Sequence, residues 1–383
     1  MKKRKICVVV LGRANYGRIK SVLQAIKEHP DTELQLVVGA SALLERYGTV
    51  VDLIRQDGFE PNATVHMIIE GENPTTMAKS TGLGLLELPT IFMNLEPDVV
   101  STIADRFETI ATAIAATYMN IPLAHVQGGE ITGSIDESVR HAVTKLAHIH
   151  FPATKLSGER IIKMGEDPRR VFVTGDPAMD IIANISLELE DDIFEKYGGV
   201  GPMLDLNEPY LLAVQHPVTT EYDDAFRQIN ETLMAIYELK LQTIWLWPNV
   251  DAGSDKVSKG IRVFREKYDP DFIHFFKNFS VEDYARVMHN STCVVGNSSS
   301  AIREGSFLGV PAANIGTRQS GRERGKNVMD VDYDREEIKD AILRQIDNGK
   351  YERQYIYGDG KAGKRIADIL AKCDLSIRKN LSF

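Results

Sequence analysis

Cysteine is scarce. Cys7, Cys293 and Cys373 are the only three in 383 residues. They lack metal-site spacing and two lie in apolar runs, so they read as buried free thiols, as suits a reducing cytoplasm. Positive charge is also in deficit. A net charge of -9 argues against a general affinity for nucleic-acid phosphate or anionic membrane, while a local basic pocket for a small anion stays open. No targeting or spanning segment is expected: MKKRK leads into ICVVVLG, too short to cross a bilayer and without a small-residue cleavage site, which reads as a first β-strand. Several catalytic signatures are missing too. The chain has no GxxxxGK[ST] loop, no clean GxGxxG after its first strand, no GxSxG elbow and no His/Cys/Asp cluster with metal spacing. ATP hydrolysis, ordinary dinucleotide binding, α/β-hydrolase chemistry and a bound metal therefore lose support.

What is present is a strict alternation. At 43% hydrophobic the chain can bury a substantial core. Short apolar runs at 6–12, 34–40, 64–70, 98–104, 122–128, 149–154 and 171–175 read as strands covered on both faces. Helical stripes lie between them, such as Ile19/Val22/Leu23/Ile26 and Phe107/Ile110/Ala113/Ile114. At about 187–209 an acidic and then Gly/Pro-rich stretch of weak periodicity reads as a linker region. The pattern restarts with strands at 210–216, 243–249, 272–278, 292–297 and 311–316 and helices between and after them. The reading is an α/β chain of two doubly wound Rossmann-like domains, 1–188 and 205–360, with 361–383 a C-terminal helix packing back on the first domain. Ligands in open α/β sheets bind beyond the carboxyl ends of the strands, so the interdomain cleft and the loops that follow strands are where a site is expected.

Those loops are polar. In 12-GRANYG-17, Arg13 at a strand end could reach an anion or could simply be solvated. In 101-STIADRFE-108, Asp105 beside Arg106 is either a helix cap or a working carboxylate. The stretch 125-HVQGGEITGSIDESVRH-141 crowds Glu130, Asp136, Glu137, Arg140 and His141 at one sheet end, and capping explains only one or two of them. His216 ends the strand in QHPVTTE and could act as an acid or as a phosphate donor near neutral pH. In 296-GNSSSAIREGSFLGVP-311, Asn297 leaves a strand and three serines open a helix, a ready diphosphate site, with Glu304 placed to accept ribose hydroxyls. A basic, Gly-rich loop, 316-GTRQSGRERGKN-327, could close over phosphates.

Taken in order, RANYG, ADRFE, HVQGGEITGSIDESVRHAVTKLAHIHF, QHPVTTE, WPNVDAGS, VVGNSSSAIREGSFLGVP and NIGTRQSGRERGKNV resemble the hydrolysing UDP-N-acetylglucosamine 2-epimerases of the sialic-acid type, from about residue 6 to about 372. The resemblance implies a glycosyltransferase-B type fold. It also implies anti elimination of UDP from C1 to a 2-acetamidoglucal, then addition of water to give free N-acetylmannosamine for nonulosonic acid biosynthesis. No cofactor and no metal are implied, and a homodimer or homotetramer is. By motif, Asp105 and Asp136 become the acid/base carboxylates, with Gln127 and Glu130 beside them. His216 and Arg318 bind the diphosphate, supported by Arg13 and Arg106. Ser298 and Ser299, with Asn297, cradle phosphate, Glu304 holds the ribose and Asn249 lines the cleft.

Departures from the family pattern fall on the sugar side. Gln127 stands where a catalytic Glu is common, Ile103 and Ala42 where histidines are, and Asn15 where an acid is usual. Two further readings follow: the same reaction on UDP-2,4-diacetamido-2,4,6-trideoxyglucose, a legionaminic acid precursor, or a nucleotide-sugar binding protein without turnover.

Overall fold

The computed structural model describes the chain except residues 1, 46–48, 71–73, 132–134, 191, 219–220, 222, 249–253 and 383. It divides into two compact units. The first holds residues 1–131, 135–183 and 357–383. Its elements are β1 (Arg4–Val10), α1 (Arg13–Glu28), β2 (Thr32–Gly39), α2 (Val50–Gln56), β3 (Ala63–Val65), α3 (Pro74–Leu95), β4 (Val99–Ile103), α4 (Thr109–Tyr118), β5 (Leu123–Val126), α5 (Ile135–Leu146), β6 (Ile149–Phe151), α6 (Lys155–Lys163) and α7 (Ala178–Asn184). The second unit carries α8 (Ile193–Tyr197), β7 (Tyr210–Val214), α9 (Ala225–Leu239), β8 (Gln242–Leu246), α10 (Ser254–Tyr268), β9 (Ile273–Phe276), α11 (Val281–Asn290), β10 (Cys293–Gly296), α12 (Ser299–Leu308), β11 (Ala312–Ile315), β12 (Val328–Val331) and α13 (Arg335–Asn348). The chain ends on α14 (Ala362–Lys372), in the first unit.

Each unit is built on a six-stranded parallel sheet, ordered β3-β2-β1-β4-β5-β6 in the first and β12-β11-β10-β7-β8-β9 in the second. Counted from its own first strand, each sheet has the order 3-2-1-4-5-6. Each therefore has a switch point where consecutive connections run to opposite faces, beside β1 and β4 in one and β7 and β10 in the other. The inner strands are mostly apolar: Ile6–Val10, Val99–Val100, Leu211–Ala213 and Cys293–Val295 are all but inaccessible. Strands sandwiched between two helix layers have no solvent face on which to place polar residues. In the first unit α14 lies against α1, where Ile366, Ala367 and Leu370 join Ile19, Leu23 and Ile26 in one core. Asp180 seats the start of α14 by accepting from the backbone N–H groups of Ala362 and Gly363 at 2.8 and 2.6 Å.

One expected strand is absent, and two elements were not expected. Val171 forms only an isolated bridge to His150, so 171–175 is not a strand. Residues 74–95 form a helix although Gly82, Gly84 and Pro89 interrupt the pattern. The edge strand β12 arises from VMDV, too short and too mixed to stand out in the sequence. Cys7 and Cys293 are buried free thiols, pushed by that burial up to about 12, while Cys373 is only half-buried.

Candidate active site: acid groups on one sheet edge, anion-binding groups on another

At the switch point of the first unit, β4 and β5 both end in a left-handed residue that is not glycine, Ala104 at φ 63° and Gln127 at φ 65°. Each backbone N–H extends the ladder, Ala104 to Val126 O at 3.1 Å and Gln127 to Phe151 O at 3.0 Å. Each then turns the chain sharply at the sheet edge. Such conformations cost about 1 kcal/mol or more for a residue with a Cβ, and they persist where the surroundings fix them. The surroundings here are traceable. His125 lies fully buried under the turn, its Nε2 2.9 Å from Ala104 O and its Nδ1 3.1 Å from Thr144 Oγ1. Because a carbonyl only accepts, Nε2 carries the proton and Nδ1 accepts from the threonine. Burial above all lowers His125 to about 4, so the ring is neutral at physiological pH.

Thr144 belongs to a stripe on α5. Asp136, Arg140 and Thr144 are spaced by four and so share a helix face. Arg140, 3% exposed, forms an ion pair with Asp105 and donates through Nη1 to Glu130 O at 2.7 Å. One guanidinium thus ties the loop after β4 to the loop after β5. Asp136 stands in the first helical turn, where its field reaches the buried Glu108. Burial raises the Glu108 carboxyl, the Arg106 cation 3.4 Å away opposes that, and Asp136 adds a smaller upward push. Asp105, Glu108 and Asp136 therefore gather at one sheet edge with Arg106 and Arg140.

The expected sugar-side residues are placed as follows. Asp105 and the Glu130 carbonyl are joined through Arg140, Arg106 and Asp136 lie on the same edge, Gln127 leaves the neighbouring strand β5, and Arg13 opens α1 at the end of β1. Gln127 and Glu130 are buried. Both ends of the Gln127 amide are engaged by charged neighbours, Asp176 at 2.7 Å and Arg18 at 3.4 Å. Ile103 and Ala42 belong to the hydrophobic core, which gives their apolar character a packing reason. Asn15 is buried and donates to Ile103 O at 3.4 Å. Sequence reading placed Arg140 in the polar crowd of 125–141 without giving it a role, and did not single out Glu108, Asp176 or Arg18. Glu108 closes the ADRFE block and Arg140 keeps the i,i+4 spacing from Asp136, so both left a trace; Asp176 and Arg18 left none.

In the second unit the switch point is closed by Asn297. Its Oδ1 accepts from the His216 N–H at 2.7 Å and its Nδ2 donates to His216 O at 2.9 Å, continuing the β7–β10 pairing by one side chain. Gly296 before it has φ 125°, and a Cβ there would lie 2.2 Å from Val214 O. Arg318 Nη1 and Gln319 Nε2 both donate to Asn297 O, at 3.2 and 2.9 Å. Ser298 caps α12 by accepting from Ser300 N, and the Ser298, Ser300 and Tyr284 hydroxyls form a chain at 2.7 and 2.5 Å. Ser299 is the first residue of α12, and Glu304 is half-buried on its second turn, where it adds to the rise that burial gives the Tyr284 hydroxyl. His216 is 7% exposed, and burial, then the Arg318 cation, pushes it down to about 3. With no ligand bound, His216 is a neutral imidazole at physiological pH. Asn249 lies outside the described residues. Helix start, hydroxyls, imidazole and guanidinium on one edge form an arrangement suited to a nucleoside diphosphate. Among the described residues no three His, Cys, Asp or Glu side chains gather as metal ligands would.

Residues 24–371 match the UDP-N-acetylglucosamine 2-epimerase family. The chain belongs to that family. It is 34% identical to a hydrolysing UDP-N,N'-diacetylbacillosamine 2-epimerase of Legionella pneumophila, over 96% of this chain and 95% of the relative. It is 33% identical to the polysialic acid biosynthesis protein P7 of Escherichia coli, over 91% and 87%. The fold matches a Neisseria meningitidis UDP-GlcNAc 2-epimerase solved with UDP-GlcNAc, at TM-score 0.80, 18% identity and coverage of 96% and 99%. Two Rossmann-like units of this family's glycosyltransferase-B type are thus established for the chain. Among the described residues no helix is long and apolar enough to cross a membrane.

Proposed function

We propose that this epimerase-family member hydrolyses a UDP-2-acetamido sugar, releasing UDP and the free 2-epimer. The observation that carries the reading is the α5 stripe: the helix that presents Asp136 also holds Asp105 through Arg140. In this reading the C1–O bond breaks as UDP departs, and a carboxylate takes the C2 proton from the opposite face. Water then adds at C1 of the 2-acetamidoglucal while a proton returns to C2 on the other face. Asp105 and Asp136 share the proton work. Arg318, the His216 imidazole and the first-turn N–H groups of α12 meet the charge that grows on the diphosphate. Glu304 receives the ribose. Gln127 and Glu130 hold the loop that carries them, and Arg13 and Arg106 add positive charge.

Two substrates are in contention: UDP-N-acetylglucosamine, and UDP-2,4-diacetamido-2,4,6-trideoxyglucose. The relative at 34% identity supports the second, and a Neisseria meningitidis UDP-N-acetylglucosamine 2-epimerase at 29% identity supports the first. Incubation with each in deuterated water distinguishes them and tests the mechanism. The expected products are UDP and a free manno-configured sugar labelled at C2, with the preferred substrate set by kcat/KM. Asp105→Asn is expected to lower kcat by about a hundredfold or more, as loss of a positioned acid/base group does. An unlabelled product, a UDP-linked epimer, or full activity in the Asp105→Asn variant would overturn the reading. UDP binding without sugar release would favour the nucleotide-sugar binding alternative.

A further inference from the structure

Gln127 occupies a demanding position. Its backbone is left-handed, it is 2% exposed, and it begins the loop after β5. A carboxamide has a donor end and an acceptor end, and charged neighbours assign both. Nε2 donates to Asp176 Oδ1 at 2.7 Å, and Oε1 accepts from Arg18 Nη1 at 3.4 Å. Asp176 is fully buried. The same Oδ1 also accepts from Ala178 N at 3.0 Å, so this carboxylate opens α7 while it holds Gln127. Its own N–H donates to Tyr357 O at 2.6 Å. Across the three side chains the order is guanidinium, neutral amide, carboxylate. Only an amide of this length accepts from the cation at one end and donates to the anion at the other.

We propose that Gln127 and Asp176 are a matched positioning pair, in which the buried carboxylate stands at 176 and residue 127 must be a neutral donor, and that the pair fixes the loop reaching Glu130. Because Arg140 binds Glu130 O and Asp105 together, the setting of that loop is also the setting of Asp105. The proposal rests on the reading of this edge as the acid/base site of an epimerase. Its physical content is independent of turnover. A glutamate at 127 would bring two carboxylates to hydrogen-bond distance in a site closed to water, and they would share one proton. The charged groups around the pair are Arg18 from α1, Asp180 from α7, whose carboxyl Asp176 already helps to raise, and Arg365 from α14, which donates to Thr174 O. Arg18 offsets part of the repulsion and Asp180 adds to it.

The test uses Gln127→Glu, Asp176→Asn and the double variant, each followed by thermal unfolding between pH 5 and 9 and by steady-state UDP release. Gln127→Glu is expected to melt well below the parent at pH 8 and to approach it toward pH 5. The folded state keeps the shared proton that the unfolded glutamate has released, so its stability falls as pH rises. Its kcat at pH 8 is expected to drop roughly fivefold or more, the size of an ordinary contact coupling, with KM little changed and recovery on acidification. The double variant is expected to regain part of the melting temperature and of kcat, because an asparagine at 176 can donate to a glutamate at 127 that still accepts from Arg18, although the nitrogen that donates no longer accepts from Ala178 N. A Gln127→Glu protein without pH-dependent loss of stability, or a double variant no better than the sum of the singles, would overturn the pair. Melting requires no substrate, so a chain that melts as expected yet turns over no UDP-sugar would refute the proposed reaction and leave the pair standing.

Discussion

His216 shows how far a residue's surroundings move its chemistry. A histidine at a strand end suggested a group titrating near neutrality, yet burial and Arg318 keep the ring neutral down to about pH 3. A diphosphate beside it would reverse the sign, since a nearby anion favours the imidazolium. UDP binding is therefore expected to take up protons, and affinity to rise as pH falls from 8 to 6. Calorimetry in buffers of different ionisation heat measures that uptake, and zero uptake would place the diphosphate away from His216. Residue identity was readable from the motifs; residue state was not. Gln127 makes the same point, because its partners Asp176 and Arg18 lie 49 and 109 positions away.

Among the elements, the ends of β7 and β10 are held by the Asn297 carboxamide rather than by a further ladder rung. Asn297→Ala would leave a buried N–H and C=O of His216 without that partner, costing about 1–3 kcal/mol. A lower denaturant midpoint at unchanged m-value, together with weaker UDP binding, is the expected result. Asn297→Asp is expected to be worse for the carbonyl than for the N–H, since a carboxylate cannot donate to it. The placing of Asn297 at a strand exit was legible from GNSSS; its use as a zipper across the switch point was not. Helix α3 was hidden for a related reason. Gly84 and Pro89 weaken any helical reading, yet a Cβ at Gly84 would lie 2.7 Å from Met67 Cε and 3.0 Å from Ala111 Cβ, so tertiary packing there demands a residue of poor helix propensity.

Across the whole molecule, each unit holds at least one histidine buried in its neutral form, His125 lowered to about 4 and His216 to about 3. Their folded pKa values lie below the unfolded 6.5, so the stability they contribute is present above pH 6.5 and is lost as pH falls. At pH 4 the loss should be roughly 3 kcal/mol for each. Glu166 extends the decline below pH 4.5. Burial pushes its carboxyl up, but hydrogen bonds from His150, Lys145 and Lys379 outweigh that and bring it to about 2. Melting temperature measured from pH 8 to 4 is expected to fall steadily below about 6.5. Replacing His125 with Gln should flatten the curve, although the lost packing will lower its plateau.

The sequence by itself determined most of the alternation of strands and helices, the two α/β units and the family. These follow from burial on both faces of parallel strands and from local turn chemistry, which act over a few residues. Tertiary structure decided which polar residues meet. It paired Asp105 with Arg140, Gln127 with Asp176, and Asn297 with the His216 backbone, and it neutralised His125 and His216. Hydrogen bonds and ion pairs depend on distance in space, and burial depends on everything packed around a group. Neither quantity is periodic in the sequence.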